Sequence, residues 1–386
     1  MRPAFGRGSG PLVTPEDRLY MRRAVRLATR GWGRVSPNPM VGAVVIREGA
    51  VIGQGWHQEY GGPHAEIHAL AQAGAGAEGA TLYVSLEPCA HHGKTPPCTD
   101  AILEAGIRRV VYGAPDPDPK AGGGAMVLTA AGLAVEGGVL AAASRRLNAA
   151  FHHAHERQAP WVALKLAQSL DGAIAPRPGV RMQLTGQKAQ AAVHRLRAGF
   201  DAILVGRGTV VADDPLLTAR GNIRPRKPPA RVVFDARGGL SPASRLVATA
   251  AEAPVHLVHV DADPSRIAAL RDVGVHTHSV AASGGGVAAD AALQALWSAG
   301  LRSILCEGGA RLAATLLALD GVERIYLFVA PVILGPESVR GLVEPLHGRW
   351  RLSRARSLGR DALLVLDRVR AELETREGEI SVHGNR

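Results

Sequence analysis

The chain of 386 residues is 46% hydrophobic and 20% charged, which gives material for two or three buried cores and excludes a disordered or collagen-like chain. Lys+Arg number 45 against 34 for Asp+Glu, a formal net charge of +11 that invites anionic ligands. Three cysteines exclude a disulfide framework, and no apolar run approaches the ~18 residues of a membrane span or forms a signal peptide, so a cytoplasmic protein with no membrane partner is expected.

Residues 1–13, with scattered Arg, Gly and Pro, read as a mobile arm. A helix is expected from Thr14 as N-cap, with Pro15 at its first position and Glu16 and Asp17 complementing the helix dipole. Leu19, Met21, Val25 and Leu27 supply its apolar stripe, and Gly31 ends it. Residues 40–46 and 51–56 read as a β-hairpin across a charged-Gly turn. Short strands at 81–86 and 109–113 alternate with helical stretches at 65–73 and 99–106, the pattern of a layered α/β domain. Residues 145–156 form a polar, His-rich helical segment broken at Gln158-Ala159-Pro160. The expected division is a first domain over 14–157, a second over 158–371, and a charged, frayed tail over 372–386. The second half repeats strand signals at 161–165, 201–206, 231–235, 255–260, 303–306 and 324–330. No short repeat relates the halves, so two different α/β domains are expected.

The strongest chemical signal is His64-Ala65-Glu66, then Pro88-Cys89 and Cys98. One imidazole and two thiolates suit Zn²⁺ and leave its fourth tetrahedral position for water, whose pKa falls towards ~7 on binding. Glu66 is too close in sequence to His64 to ligate beside it and is placed to shuttle protons. A His-x-Glu…Pro-Cys…Cys pattern is the zinc-deaminase signature, with the Glu as general acid/base, although eight residues (Ala90 to Pro97) rather than two separate these cysteines. A structural zinc closed by His91 or His92 is the alternative. Asn38, an amide that donates and accepts, suits a pyrimidine edge.

Ser36-Pro37-Asn38-Pro39-Met40-Val41-Gly42, Pro63-His64-Ala65-Glu66, Leu86-Glu87-Pro88-Cys89-Ala90-His91 and Thr95-Pro96-Pro97-Cys98 together resemble the bifunctional deaminase/reductase family of riboflavin biosynthesis. The likeness runs from about Leu19 to Leu366. It implies a cytidine-deaminase-like three-layer α/β/α domain followed by a dihydrofolate-reductase-like α/β domain. It implies a phosphorylated diaminopyrimidinone substrate, one Zn²⁺ in the deaminase domain, NADPH in the reductase domain, and a homo-oligomer. For the phosphorylated pyrimidine that the resemblance implies, His91, Lys94 and Thr95 in the insertion are candidates to hold the ribose phosphate beside the metal. Asp116-Pro117-Asp118-Pro119 departs from the family's Asp-Pro-Asn-Pro at Asp118.

The second half has no Gly-x-Gly-x-x-Gly fingerprint, so a Rossmann domain is not indicated. Its matches to the family include 164–172, Arg197, 201–206, 208–210, 212–218 with Arg220, and Glu307-Gly308-Gly309. The resemblance implies substrate contacts from Arg181, Arg197, Asp213, Leu217, Arg220 and Glu307. It implies cofactor contacts from Lys165, Ala167, Gln183, Thr209, Asp213, Gly308 and Gly309. Physically, Arg197 and Arg220 each offer a bidentate fork to a 5-phosphate. Gly308 and Gly309 end an apolar strand and open a helix where a pyrophosphate can approach backbone N–H groups. Lys165 and Asp213 are both candidates to move the proton that accompanies hydride transfer. Arg181, Gln183 and Ala236 depart from a small hydroxyl residue, an aromatic and a serine usual in relatives.

The net charge also raises a nucleic-acid binder or a tRNA-editing deaminase. Residues 1–150 hold 15 Lys+Arg against 12 Asp+Glu and the remainder 30 against 22, so the excess lies away from the zinc motif. No basic cluster with interleaved aromatics appears, so no nucleic-acid partner is expected. Cys306, ending an apolar strand, reads as a small buried hydrophobe rather than a nucleophile.

Overall fold

The computed structural model describes residues 13–93, 95–180, 182–342 and 350–370. The expected arm, apart from Val13, and the expected tail lie outside the described residues, as do Lys94 and Arg181. The chain divides into two compact units between Glu156 and Arg157.

The first unit runs α1 (Pro15–Ala28), β1 (Gly42–Arg47), β2 (Ala50–Trp56), α2 (Ala65–Ala73), β3 (Thr81–Leu86), α3 (Cys98–Glu104) and β4 (Arg109–Ala114). It closes with α4 (Gly124–Ala130), β5 (Ala134–Glu136), α5 (Ala141–Leu147) and α6 (Ala149–Arg157). The sheet order is β2-β1-β3-β4-β5, with the hairpin antiparallel and β3, β4 and β5 parallel. Glu48 and Gly49 both take positive φ in the hairpin turn, the geometry that matches strand twist. Alternation along the strands makes three layers. Ala43, Val45, Leu82, Val84 and Val110 pack with Ala65, Ala69 and Ile102 on one face, and Val44, Ile46, Tyr83 and Val111 pack with Met21, Ala24 and Leu27 on the other. Leu19, expected in the apolar stripe of α1, is 54% exposed, and the inward face is instead Asp17, Met21, Ala24, Leu27 and Ala28.

Asp17 therefore sits on a buried face. Its carboxylate accepts from the Thr14 backbone N–H at 2.9 Å, completing a capping box with the Thr14 hydroxyl. It also accepts from the Tyr83 hydroxyl at 2.8 Å and from both terminal nitrogens of Arg109 at 2.7 and 3.0 Å. Arg109 reaches on to Glu136 at 2.5 Å, so one cluster ties α1 to β3, β4 and β5. Burial alone would raise the Asp17 carboxyl; the Arg109 guanidinium, Thr14 and Tyr83 outweigh it and hold it well below the usual carboxylate range.

The second unit begins with β6 (Trp161–Ser169), β7 (Ala173–Ala175), α7 (Gln187–Arg197), β8 (Ala202–Gly206), α8 (Arg207–Asp213) and β9 (Ala230–Phe234). There follow α9 (Arg245–Ala248), β10 (Val255–His259), α10 (Pro264–Asp272), β11 (Val275–Ser279), β12 (Ala282–Ser283), β13 (Gly286–Val287) and α11 (Ala289–Ser298). It ends with β14 (Ser303–Cys306), α12 (Ala310–Ala318), β15 (Arg324–Ala330), β16 (Val339–Arg340), β17 (Trp350–Leu358) and β18 (Asp361–Arg368). Nine strands form one sheet in the order β11-β10-β9-β8-β14-β6-β15-β18-β17. The seven strands from β11 to β15 are parallel, and β18 and β17 complete the sheet antiparallel. Val162, Leu164, Leu166, Leu204, Ile304 and the fully buried Cys306 share one core face with α11 and α12. The C-terminal ends of β8 and β14 are neighbours, and their following segments open α8 and α12. That edge of a parallel sheet is where ligands characteristically bind.

Asp17→Asn is expected to destabilise the first unit by about 3 kcal/mol at pH 7, the lower part of the range for breaking a buried ion pair because Arg109 is partly exposed. The deficit relative to wild type is full above about pH 4 and shrinks as pH falls through the depressed pKa of Asp17. Denaturant unfolding of both proteins between pH 7 and pH 2 measures it. Equal stability at pH 7 would contradict the anchoring role.

Candidate functional sites

In the first unit, chain entry into two helices builds a metal centre. His64 is the N-cap of α2 with extended backbone and no capping bond from its side chain, so its imidazole stays available. Cys98 is the first residue of α3, and Cys89 lies in the loop after β3. Gly53 and Gly55 let α2 lie directly on β2: a Cβ at Gly53 would come within 2.1 Å of the Ala69 carbonyl oxygen, and one at Gly55 within 2.5 Å of that of Ala65. The His64 Nδ1 atom lies 3.2 Å from Cys98 Sγ and 3.5 Å from Cys89 Sγ, and the three donor atoms all fall within 4.8 Å of one another. Both cysteines are buried, and no other His, Cys, Asp or Glu joins the group among the described residues. His91 and His92 are exposed and stand outside it, so neither closes the site.

The donor set fits zinc: one imidazole nitrogen and two sulfurs, with a position left open. The Cys98 thiol and the imidazole of His64 pull the Cys89 thiol down to about 4, despite burial, and the Cys98 backbone N–H donates to the Cys89 sulfur at 3.4 Å. A thiolate at this place is therefore favoured.

Glu66 lies in the first turn of α2, is 3% exposed, and leaves Oε2 without a hydrogen-bond partner. Burial pushes its carboxyl up to about 7 against the pull of His64. Asn38 is placed by two residues that the sequence reading did not single out. His57 Nδ1 faces the Pro63 carbonyl at 3.1 Å and so carries the proton, leaving Nε2 to accept from the Asn38 side-chain nitrogen at 3.3 Å. The Asn38 oxygen is thereby directed away from His57. Buried Asn148 accepts from the Met40 N–H and donates to its carbonyl, each at 2.8 Å, which pins the loop from the far end of the unit. Glu87, whose carboxylate accepts from the Asp116, Gly123 and Ala125 N–H groups, holds together the loops behind Pro88. Asp118 is engaged in a local turn, accepting from the Lys120 N–H at 2.9 Å. Thr95 is half-buried, its carbonyl accepting from the Gly93 N–H at 3.2 Å, and His91 is exposed.

In the second unit, a cavity of about 370 Å³ is lined by Lys165, Gln183, Arg197, Thr209, Asp213, Leu217, Arg220 and Glu307, eight of the residues singled out in sequence. Thr185, His194 and Arg245 also line it and were not anticipated. Ala167 on β6 and the Gly308-Gly309 pair, which opens α12, lie outside that lining. Gly308 packs closely, since a Cβ there would come within 2.7 Å of Leu312. Arg197 is committed differently from expectation. Its fork grips Glu307 at 2.6 and 3.0 Å and its remaining nitrogen donates to the Thr218 carbonyl at 3.2 Å, because a buried carboxylate at the end of β14 demands a partner. Lys165 Nζ is 3.8 Å from the same carboxylate. Burial would raise the Glu307 carboxyl, but Arg197 and Lys165 outweigh it, while burial lowers the Lys165 ammonium. Arg220 has no ion-pair partner among the described residues and remains the open fork. Asp214 serves the turn: it has a φ of 37° and accepts from the Arg245 N–H at 2.8 Å. Leu217, buried in the cavity wall, has a φ of 52°, a strained backbone of the kind that gathers at functional sites.

Comparison with known proteins divides the chain in the same sense. Residues 14–114 match the cytidine and deoxycytidylate deaminase zinc-binding region, and residues 160–364 match the RibD C-terminal domain. The riboflavin biosynthesis protein RibD of Aquifex aeolicus is 37% identical over 364 residues, covering 92% of this chain and all of that one. The Actinobacillus pleuropneumoniae protein of the same name is 38% identical over 333 residues, 86% of this chain and 88% of its own length. Among solved structures, Acinetobacter baumannii RibD superposes with a TM-score of 0.81 at 34% identity, covering 92% of this chain and 99% of that one. A diaminohydroxyphosphoribosylaminopyrimidine deaminase/5-amino-6-(5-phosphoribosylamino)uracil reductase from Thermotoga maritima superposes with a TM-score of 0.77, at the same identity and coverage.

The metal centre predicts about one zinc per chain in purified protein, by the three-ligand chemistry above. Cys98→Ser and Cys89→Ser should each lose it, as read by atomic emission. Full zinc retention in both variants would move the metal elsewhere.

Proposed function

The chain belongs to the RibD family of riboflavin biosynthesis proteins, bifunctional deaminase/reductases, and on that premise we propose its two substrates and the roles of its residues. The first unit deaminates 2,5-diamino-6-(5-phosphoribosylamino)pyrimidin-4-one. The second reduces the resulting ribosylamino uracil phosphate to 5-amino-6-(5-phosphoribitylamino)uracil with NADPH. The observation that carries this reading is the pairing, in one chain, of a His64/Cys89/Cys98 triad with both cysteines buried, beside buried Glu66, with a separate basic cavity around Arg220 and the Glu307–Arg197 pair.

Zinc on the triad would supply Lewis-acid activation of water near neutral pH. Glu66 accepts a proton from that water and returns it to the leaving amine. Its buried carboxyl, raised to about 7, holds and releases a proton with little cost in this range. Water adds to the ring carbon, the carbon–nitrogen bond breaks, and ammonia leaves with an oxo group in its place. Asn38, oriented by His57, reads the pyrimidine edge, while His91, Lys94 and Thr95 hold the ribose phosphate.

In the second unit NADPH, when bound, would supply the hydride for C1′ of the ring-opened imine. Thr209, Asp213, Gln183, Lys165 and Ala167 would hold the nucleotide, and Gly308 and Gly309 would let a pyrophosphate approach the backbone N–H groups that open α12. Arg220, Leu217 and Glu307 face the substrate, joined by Arg181. Arg197 acts by holding Glu307 in place, and its spare donor fixes the loop at Thr218. Lys165, whose ammonium burial lowers, gives the proton that accompanies the hydride, and Asp213 lines the same cavity. The reading is of a cytoplasmic homo-oligomer acting on a small phosphorylated pyrimidine. Among the described residues no helix is long and apolar enough to cross a membrane.

Glu66→Gln is expected to keep zinc but to slow ammonia release by about 10²–10⁴-fold, the usual range for a general acid–base. The same variant, given substrate already deaminated, should oxidise NADPH at the wild-type rate, read as absorbance loss at 340 nm. Unimpaired ammonia release would remove Glu66 from the chemistry. Absence of NADPH oxidation by the wild type would remove the reduction.

A further inference from the structure

His194 lies on α7 three residues before Arg197, so both side chains face the cavity from one side of the helix. Its Nδ1 atom is 3.2 Å from the Thr218 carbonyl oxygen. A carbonyl only accepts, so Nδ1 carries a proton and Nε2 is the titrating atom on the other edge of the ring. The charged groups around it are Arg197 on α7, Arg220 on the loop after α8, Asp213 at the end of α8, Arg245 on α9, Lys165 on β6 and Glu307 after β14. Three arginines and Lys165 thus face two carboxylates, and Arg197 is already spent on Glu307. Without an anion in the cavity, burial first, and then Arg197 and Arg220, hold the His194 imidazole below its ordinary pKa, against the pull of the Thr218 carbonyl.

A phosphate ester that meets Arg220 reverses this field. It brings negative charge beside an imidazole whose neutral Nε2 would offer only a lone pair to the phosphate oxygens, whereas the protonated form donates. We propose that His194 is a phosphate-recognition residue of this cavity, taking up one proton when a phosphate monoester binds and donating Nε2–H to it. This rests on the reading of the cavity as the site of a phosphorylated substrate. It adds a titrating donor to the fixed charge of Arg220, so that the cavity gains positive charge only when the anion is present. Because binding raises the pKa of His194, affinity for the phosphate weakens as pH rises through the bound-state value.

Calorimetric titration of the full-length protein with ribose 5-phosphate, in two buffers of different ionisation heat, tests it. At pH 8 the ester is already a dianion, its second pKa being about 6, so any proton uptake belongs to the protein. Wild type is expected to take up a measurable fraction of a proton per ligand at pH 8. His194→Gln should take up none there and bind about tenfold more weakly at pH 7, the loss of one charge-assisted hydrogen bond. Equal proton uptake by the two proteins overturns the proposal, including where the variant binds more weakly, since His194 would then be only structural. Arg220→Ala tests the underlying reading separately. If it binds ribose 5-phosphate as tightly as wild type, or if wild type does not bind it, the cavity is not a phosphate site.

Discussion

A carboxylate removed from water must be paired or protonated, and the chain answers that constraint in two ways at three places. Asp17 and Glu307 are paired with Arg109 and Arg197, and both are held in the ionised form. Glu66 is buried to a similar degree, has an unpartnered oxygen and no arginine, and is raised to about 7. The paired carboxylates keep a fixed charge, Asp17 as framework and Glu307 at the cavity. The unpaired one is a proton carrier, and its difference from the others is an environmental one, since all three side chains are carboxylic acids.

The framework pairs also position the chemistry. The Asp17 cluster joins α1 to three strands of the five-stranded sheet, whose other face carries α2 and α3 with His64, Glu66 and Cys98 at their starts. Two helix N-termini consequently open at the metal centre, and their partial positive charge favours the Cys89 thiolate there. In the second unit the Glu307–Arg197 pair fixes the end of β14 to the end of α7, and the third Arg197 donor fixes the Thr218 segment that carries Leu217 and leads to Arg220. The cavity wall is thus set by a pair that neither element could hold alone.

Much of this was legible in the residue order. The Thr14 cap, the hairpin and the strands at 81–86, 303–306 and 324–330 are local, and periodicity or capping chemistry reports them. The metal triad was legible because zinc demands particular residue types at particular spacings. The buried role of Asp17 was not, since a first-turn acid already suits a helix start on the surface, and its partner lies 92 residues away. Asn148 and His57, which place the Asn38 loop, act across 108 and 19 residues and leave no periodic signal. The short β5 and the almost wholly exposed β17 were missed because very short or polar segments carry little pattern; β18, whose burial alternates along its Leu-Leu-Val-Leu run, carried a strand signal that the sequence reading did not use. The departures find local roles in two cases: Gln183 donates to the Thr185 carbonyl at 3.1 Å, and the Ala236 carbonyl accepts from Val260 and Asp261. Nothing in the structure explains why serine is absent at Ala236.

The account assigns two bond changes to one chain, a carbon–nitrogen exchange at the metal centre and a hydride addition at the basic cavity. The direct measurement is mass spectrometry of the product formed from the diaminopyrimidinone phosphate in oxygen-18 water with NADPH deuterated at the transferred position. One heavy oxygen on the ring carbon that bore the amine, together with one deuterium on C1′ of the ribityl chain, is the predicted outcome. A product with unlabelled ring oxygen, or with no deuterium on C1′, would contradict it.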